Sequence, residues 1–165
     1  MNRLEFLDRI EVAKKLAGIT RVARITELDF FGLPTYQAIR PFSKNYVVSQ
    51  GKGLNEESAK TAAIMESLEF FHAESISVDR VDTIKNIQSA LGYNPLALPL
   101  TASISVDQPI RWTAGVNLID KTKTYLPFDL VSLDFTDKEV SRSLFRKTSN
   151  GLGAGTNRNQ AIAHS

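Results

Sequence analysis

The chain has no cysteine, one tryptophan, two methionines and two histidines in 165 residues. Without cysteine there are no disulfides, no thiolate metal sites and no cysteine nucleophile. His72 and His164 are too few and too far apart to predict a zinc site. Long apolar runs are absent as well, so no segment reads as membrane-spanning, and no secretory signal precedes the first helix. Nor is there an excess of one charge. The net charge is +2 and the basic residues are scattered, which gives nucleic-acid binding no electrostatic support. The expectation is a cytoplasmic protein that binds neither nucleic acid nor membrane. With 42% hydrophobic and 23% charged residues, the composition is that of one ordinary globular domain with a real core.

What is present is organised around Ser49 to Glu74. A strand ends at Gly51-Lys52-Gly53, and a long helix follows, with Asn55 as N-cap and Glu56 and Glu57 in the first turn. At 100° per residue, Ile64, Leu68 and Phe71 share one face, and Lys60, Ser67 and Glu74 mark the solvated face. Glu66 and Glu69 fall together on a third flank lined by Ala59, Ala62, Ala63 and Ala73. Two carboxylates three residues apart on a small-residue flank can admit a cation, although glutamate pairs at this spacing are more often solvated or paired with Lys or Arg. The glycine pair lacks the spacing and the Ser or Thr of a P-loop, and reads as a tight turn with a weak anion-binding character.

Before that helix the chain predicts an amphipathic helix over Leu4–Ala17, with Phe6, Ile10, Ala13 and Ala17 on one face and Gly18 as its stop. Strands follow at Ile19–Thr26, Pro34–Arg40 and Tyr46–Ser49, with a turn at Phe30-Phe31-Gly32. After it come a short strand at Val78–Val81, a short helix at Ile84–Leu91 and a loop at Asn94–Pro99. A hairpin at Ile110–Leu118 and Thr124–Pro127 turns at Asp120-Lys121-Thr122, with Trp112, Val116, Leu118 and Leu126 as buried candidates. Phe128–Leu133 continues as an apolar segment. The pattern is α+β, an antiparallel sheet with packed helices. The last stretch, Ser149 to Ser165, is a glycine-rich loop leading to Asn157 as N-cap and an apolar helix start.

Taken together, these segments resemble the N-terminal part of a YcaO-type domain. Such domains carry G-K-G, then S-A-x-x-E-x-x-E, and later S-N-G-L-A-A-G-N-T-x-x-E-A running into E-x-x-E-R. Gly51-Lys52-Gly53, Ala62-Ala63, Glu66 and Glu69 match the first part. Ser149-Asn150-Gly151-Leu152, Ala154-Gly155 and Ala161 match the second. Gly18-Ile19-Thr20-Arg21, Leu28-Asp29, Pro34, Arg40-Pro41 and the segment Trp112 to Val131 are similar to the peptide-modifying members, so the resemblance spans 1–165 as one partial domain.

The resemblance implies an enzyme that uses ATP and Mg²⁺ to phosphorylate a peptide backbone amide, for azoline or thioamide formation. Its implied cofactor contacts are Glu66, Glu69, Gly153, Thr156, Asn157 and Gln160, with Glu66 and Glu69 on the metal; no residue is assigned to catalysis. Its implied partners are a peptide or protein substrate and a protein that presents it. Thr156 stands where the family usually has Asn, Gln160 stands where it has Glu, and E-x-x-E-R is not reached. The expectations are therefore an N-terminal portion of such an enzyme or, alternatively, a truncated or degenerate paralogue acting as an oligomerisation or peptide-docking module. The chain alone is expected to bind Mg-ATP weakly or not at all. Open sheet edges and the apolar Ala161-Ile162 predict a homodimer.

Overall fold

A computed structural model of the chain describes residues 3–28, 30–139 and 143–165. Asp29, one of the residues carrying the resemblance, lies outside them. Packing divides the chain into two units, Met1–His72 with Asn150–Ser165, and Ala73–Ser149. The architecture is α+β as expected, with two three-stranded antiparallel sheets.

In the first unit, helix α1 (Arg3–Leu16) precedes strands β1 (Arg21–Arg24), β2 (Thr35–Ile39) and β3 (Val48–Lys52). The end of α1 is closed by its own backbone: Gly18 N–H donates to the Lys15 carbonyl at 3.2 Å and Ile19 N–H to the Lys14 carbonyl at 2.9 Å. This double closure requires a left-handed residue at Gly18, whose φ is +71°. Strand β2 lies between β1 and β3, with Ala38 facing Val22 on one side and Ser49 on the other.

Helix α2 (Glu56–Glu74) then crosses this sheet. Asn55 caps it as expected, its Oδ1 accepting from Ser58 N–H at 2.8 Å, and Ser58 Oγ accepts in return from Asn55 N–H. The core joins Ile10, Ala17, Ile19, Ala38, Ala63 and Ile64, with Phe6, Leu68 and Phe71 packed against it.

One face of α2 differs from expectation. Ser67 is 1% exposed and Glu74 7%, whereas Lys60 is solvated. Ser67 continues the line of Ala59 and Ala63 along the helix, and all three are buried. The cause is close approach. A Cβ on Gly51 would stand 2.7 Å from the Ala62 carbonyl carbon and closer still to Ala63 N and Ala59 O, so the helix backbone rests on β3 and only small side chains fit that line.

In the second unit, β4 (Arg80–Thr83), β5 (Pro109–Val116) and β6 (Lys123–Pro127) form the sheet, with short helices α3 (Ile84–Ile87) and α4 (Phe128–Val131). Trp112 is fully buried and its Nε1–H donates to the Asp82 carbonyl at 3.0 Å. It packs with Ile84, Ile87, Leu91, Ile110 and Phe145. Val116 and Leu118, expected inside, are 54% and 45% exposed. They lie at the hairpin's far end, where Val116 pairs with Lys123 beside the Asp120–Thr122 turn, beyond the reach of this core. Arg111 pairs with both Asp129 and Asp137, and its guanidinium lies 4.7 Å from the centre of the Phe128 ring.

Candidate active-site cavity

Helix α5 (Arg158–His164) follows the glycine loop, and both belong to the first unit. Asn157 caps it as expected, with Oδ1 accepting from Gln160 N–H at 3.0 Å. The loop is laid directly on this helix. A Cβ on Gly153 would stand 2.8 Å from Ser165 N and closer still to the Ala161 carbonyl oxygen. Glycine is therefore needed at 153 for space between loop and helix.

A cavity of about 900 Å³ lies where three segments meet. From β3 come Gln50, Gly51 and Lys52; from one flank of α2 come Ser58, Ala62, Met65, Glu66 and Glu69; from the loop and α5 come Ala154, Gly155, Thr156, Gln160 and His164. Of the residues implied by the resemblance, Glu66, Glu69, Thr156 and Gln160 thus share one cavity. Gly153 and Asn157 line an adjoining cavity of about 490 Å³, together with Glu69, Leu68, His72 and Arg158.

The two carboxylates are half-buried and, among the described residues, neither is ion-paired with a lysine or arginine. Glu66 Oε2 accepts the Gln50 N–H at 2.6 Å, at the outer side of β3. Glu69 is influenced first by burial, which pushes its carboxyl above the ordinary range. The Ala154 backbone N–H pulls the other way, the neighbouring Glu66 charge pushes it up further, and His164 lowers it; the net effect is upward.

Gln160 is tied to its own loop, its Oε1 accepting from both Thr156 N–H and the Thr156 hydroxyl at 2.8 Å. It brings no charge. Among the described residues there is no group of three or more His, Asp or Glu side chains that could hold a metal ion by themselves. Two carboxylates facing an open, partly polar cavity fit Mg²⁺ differently, because Mg²⁺ is commonly held by one or two carboxylates plus phosphate oxygens and water. The donor set therefore fits a metal that arrives with a phosphate ligand.

His164, Lys52 and Gln50 were not singled out for this cavity by the sequence. Lys52 read as part of a turn, and a lone histidine near a chain end gave no signal of its own.

A family model described as YcaO cyclodehydratase, ATP- and Mg²⁺-binding, matches residues 50–165, more than half of the chain. The chain belongs to the YcaO family. An uncharacterized protein of Methanothermobacter thermautotrophicus is 33% identical over 151 residues, covering 90% of this chain and 39% of that protein. Another, from Mycobacterium tuberculosis, is 33% identical over 156 residues, covering 90% of this chain and 35% of its own. The chain thus spans well under half the length of these curated relatives.

Among solved structures it is similar to YcaO from Methanopyrus kandleri bound with AMPPCP and Mg²⁺, with a TM-score of 0.66 at 19% identity over 99% of this chain and 41% of that one. A heterocyclase in complex with substrate and cofactor gives a TM-score of 0.67 at 19% identity, over 93% of this chain and 26% of that one. At these identities the likeness establishes the shared fold. Among the described residues no helix is long and apolar enough to cross a membrane.

Proposed function

We propose that residues 1–165 form the N-terminal part of a YcaO domain whose whole protein uses Mg-ATP to activate a peptide backbone amide for azoline or thioamide formation. The observation that carries this reading is the convergence of Glu66 and Glu69 with Thr156 and Gln160 on one cavity. Magnesium-bound ATP, when present, supplies the phosphoryl group that makes the amide oxygen a leaving group. In this chain Glu66 and Glu69 would hold the metal, whose positive charge would offset theirs beside phosphate. The glycine loop from Gly153 would offer its backbone and the Thr156 hydroxyl to the nucleotide, since Ala154, Gly155 and Thr156 line the cavity. Asn157 fixes the loop's exit by capping α5, and Gln160 fixes its shape through Thr156.

The partners that fit this reading are a peptide or protein substrate, a protein that presents it and a second copy of this chain, in the cytoplasm where ATP is available. Support comes from structural relatives: the heterocyclase just described holds substrate, and an Escherichia coli microcin synthetase McbBCD complex shares the fold at a TM-score of 0.51 over 68% of this chain.

One observation favours a second reading, in which the chain is a non-catalytic docking or oligomerisation module. Gln160 is neutral, and among the described residues no third carboxylate forms a metal-holding group with Glu66 and Glu69, although Glu57 lines the same cavity. Amide chemical-shift mapping of the 165-residue chain with millimolar Mg²⁺-AMPPCP separates the two. The first reading predicts shifts at Gln50–Lys52, Glu66, Glu69 and Ala154–Gln160. Shifts confined to other regions, or none, would leave the docking reading standing.

A further inference from the structure

Glu66 is tied to β3 through the strand's backbone, on the side that pairs with no other strand. Strand β3 lies outermost in its sheet and bonds to β2 through alternate residues, as an antiparallel pair must. Gly53 N–H donates to the Pro34 carbonyl at 3.1 Å, and the Val47 carbonyl accepts from Arg40 N–H at 2.8 Å. Gln50, opposite Gln37, falls between these bonded positions by the same alternation, so its N–H points away from β2. That N–H donates to Glu66 Oε2 at 2.6 Å. Gly51 brings the carboxylate within reach. The α2 backbone at Ala59, Ala62 and Ala63 rests on this glycine, and Glu66 stands one turn further along the same helix. Glu66 Oε1 accepts no hydrogen bond among the described residues, and Gln50 and Glu66 both line the cavity.

We propose that Gln50 is a positioning residue through its backbone amide: the N–H holds one oxygen of Glu66 and thereby presents the other, Oε1, to a cation in the cavity. This rests on the metal role proposed for Glu66. A free glutamate side chain turns about several bonds, and a short charge-assisted hydrogen bond removes most of that freedom before the metal arrives. Hydrogen bonds from outside the metal's own ligands fix ligand orientation, and their loss typically weakens metal binding by about tenfold or more. The same bond occupies an edge N–H that would otherwise be open to another strand. Because the donor is main chain, the requirement falls on an N–H at position 50 and not on the glutamine side chain. Every residue but proline meets it.

NMR scalar coupling across the hydrogen bond, in the 165-residue chain, tests the contact itself. A coupling between the Gln50 backbone nitrogen and the Glu66 carboxyl carbon should be present without metal and persist with Mg²⁺-AMPPCP. Its absence overturns the proposal, and so does its loss when Mg²⁺-AMPPCP is added. Two substitutions test the consequence. Gln50→Pro removes the N–H without breaking a bond to β2, at the kind of edge position where proline is tolerated, whereas Gln50→Ala keeps the N–H. Electron paramagnetic resonance of Mn²⁺ with AMPPCP measures the affinity of each. It should fall by about tenfold in Gln50→Pro and stay at the wild-type value in Gln50→Ala. Wild-type affinity in a folded Gln50→Pro chain overturns the proposal, and so does a tenfold loss in Gln50→Ala. If Gln50→Pro does not fold, the coupling with and without Mg²⁺-AMPPCP decides. A wild-type chain that takes up no Mn²⁺ with AMPPCP overturns instead the metal reading on which the proposal rests.

Discussion

The approach of α2 to β3 at Gly51 sets the width of the cavity and gives the sharpest stability prediction. In Gly51→Ala the new methyl would meet Ala62 C at 2.7 Å, and Ala63 N and Ala59 O at shorter range still. All three are helix backbone, so no side chain can rotate out of the way. Ordinary contact begins near 3.4 Å, and reaching it lifts the helix off the sheet by well over half an ångström. That opens the packing of Ala59 and Ala63, both fully buried, and stretches the 2.6 Å bond from Gln50 N–H to Glu66. Overpacking typically costs about 1–3 kcal/mol, and the backbone shift puts this site at the upper end. A loss of about 3 kcal/mol lowers Tm by roughly 6–12 °C in a chain of this length. Gly115→Ala is the control. Its Cβ would meet nothing nearer than Leu126 Cδ1 at 3.7 Å, so alanine should be neutral or stabilise by about 0.5 kcal/mol. Urea unfolding followed by far-ultraviolet circular dichroism measures both. A Gly51→Ala chain within about 1 kcal/mol of wild type would refute the close-approach account.

Glu69, pushed up by burial and by Glu66, should titrate above the ordinary carboxylate range when free of metal, and Mg²⁺ with AMPPCP should pull it down. The sign follows from linkage: a raised folded value contributes stability below the unfolded value, and that contribution is lost as pH rises through the folded one. Carboxyl carbon NMR against pH measures it, and a titration unmoved by metal would count against the metal role. Gln160→Glu keeps an acceptor for both Thr156 donors and adds a charge, so Mn²⁺ uptake with AMPPCP should tighten about tenfold; weaker uptake would show that position 160 does not face the metal. The outer strands β1 and β3 and the exposed Ile162 predict a homodimer. Light scattering should then give about twice 18.3 kDa, and a clean monomer mass would end that prediction.

The local features of the first unit were legible because each is written within a few residues. Asn55 and Asn157 cap the helices they precede, and the three-residue spacing of Glu66 and Glu69 does put both carboxylates on one flank. What escaped depends on distant segments. Ser67 reads as polar and therefore solvated, but Gly51, sixteen residues earlier in the chain, draws that line of α2 onto β3. Val116 and Leu118 read as core on pattern alone, yet the hairpin outruns the cluster around Trp112. Alternation over Ile19–Thr26 overstated β1, because pairing with β2 stops at Arg24↔Tyr36 and a 3₁₀ turn takes over at Thr26. The division into two sheets likewise follows from long-range pairing. His164 was unreadable as a cavity residue, since its bond spans ten residues to a backbone oxygen that any residue could supply.

The central claim is that Glu66 and Glu69 hold a cation beside the glycine loop, and paramagnetic broadening by Mn²⁺ tests it most directly. With Mn²⁺ and AMPPCP at millimolar concentration, amide signals of Gln50–Lys52, Glu66–Glu69 and Ala154–Thr156 should broaden first, and the double variant Glu66→Gln/Glu69→Gln should lose the effect. Calorimetry of the wild-type chain should show no micromolar affinity, as expected of two carboxylates without a third. Broadening centred elsewhere, or broadening at these residues that survives in the double variant, would contradict the account.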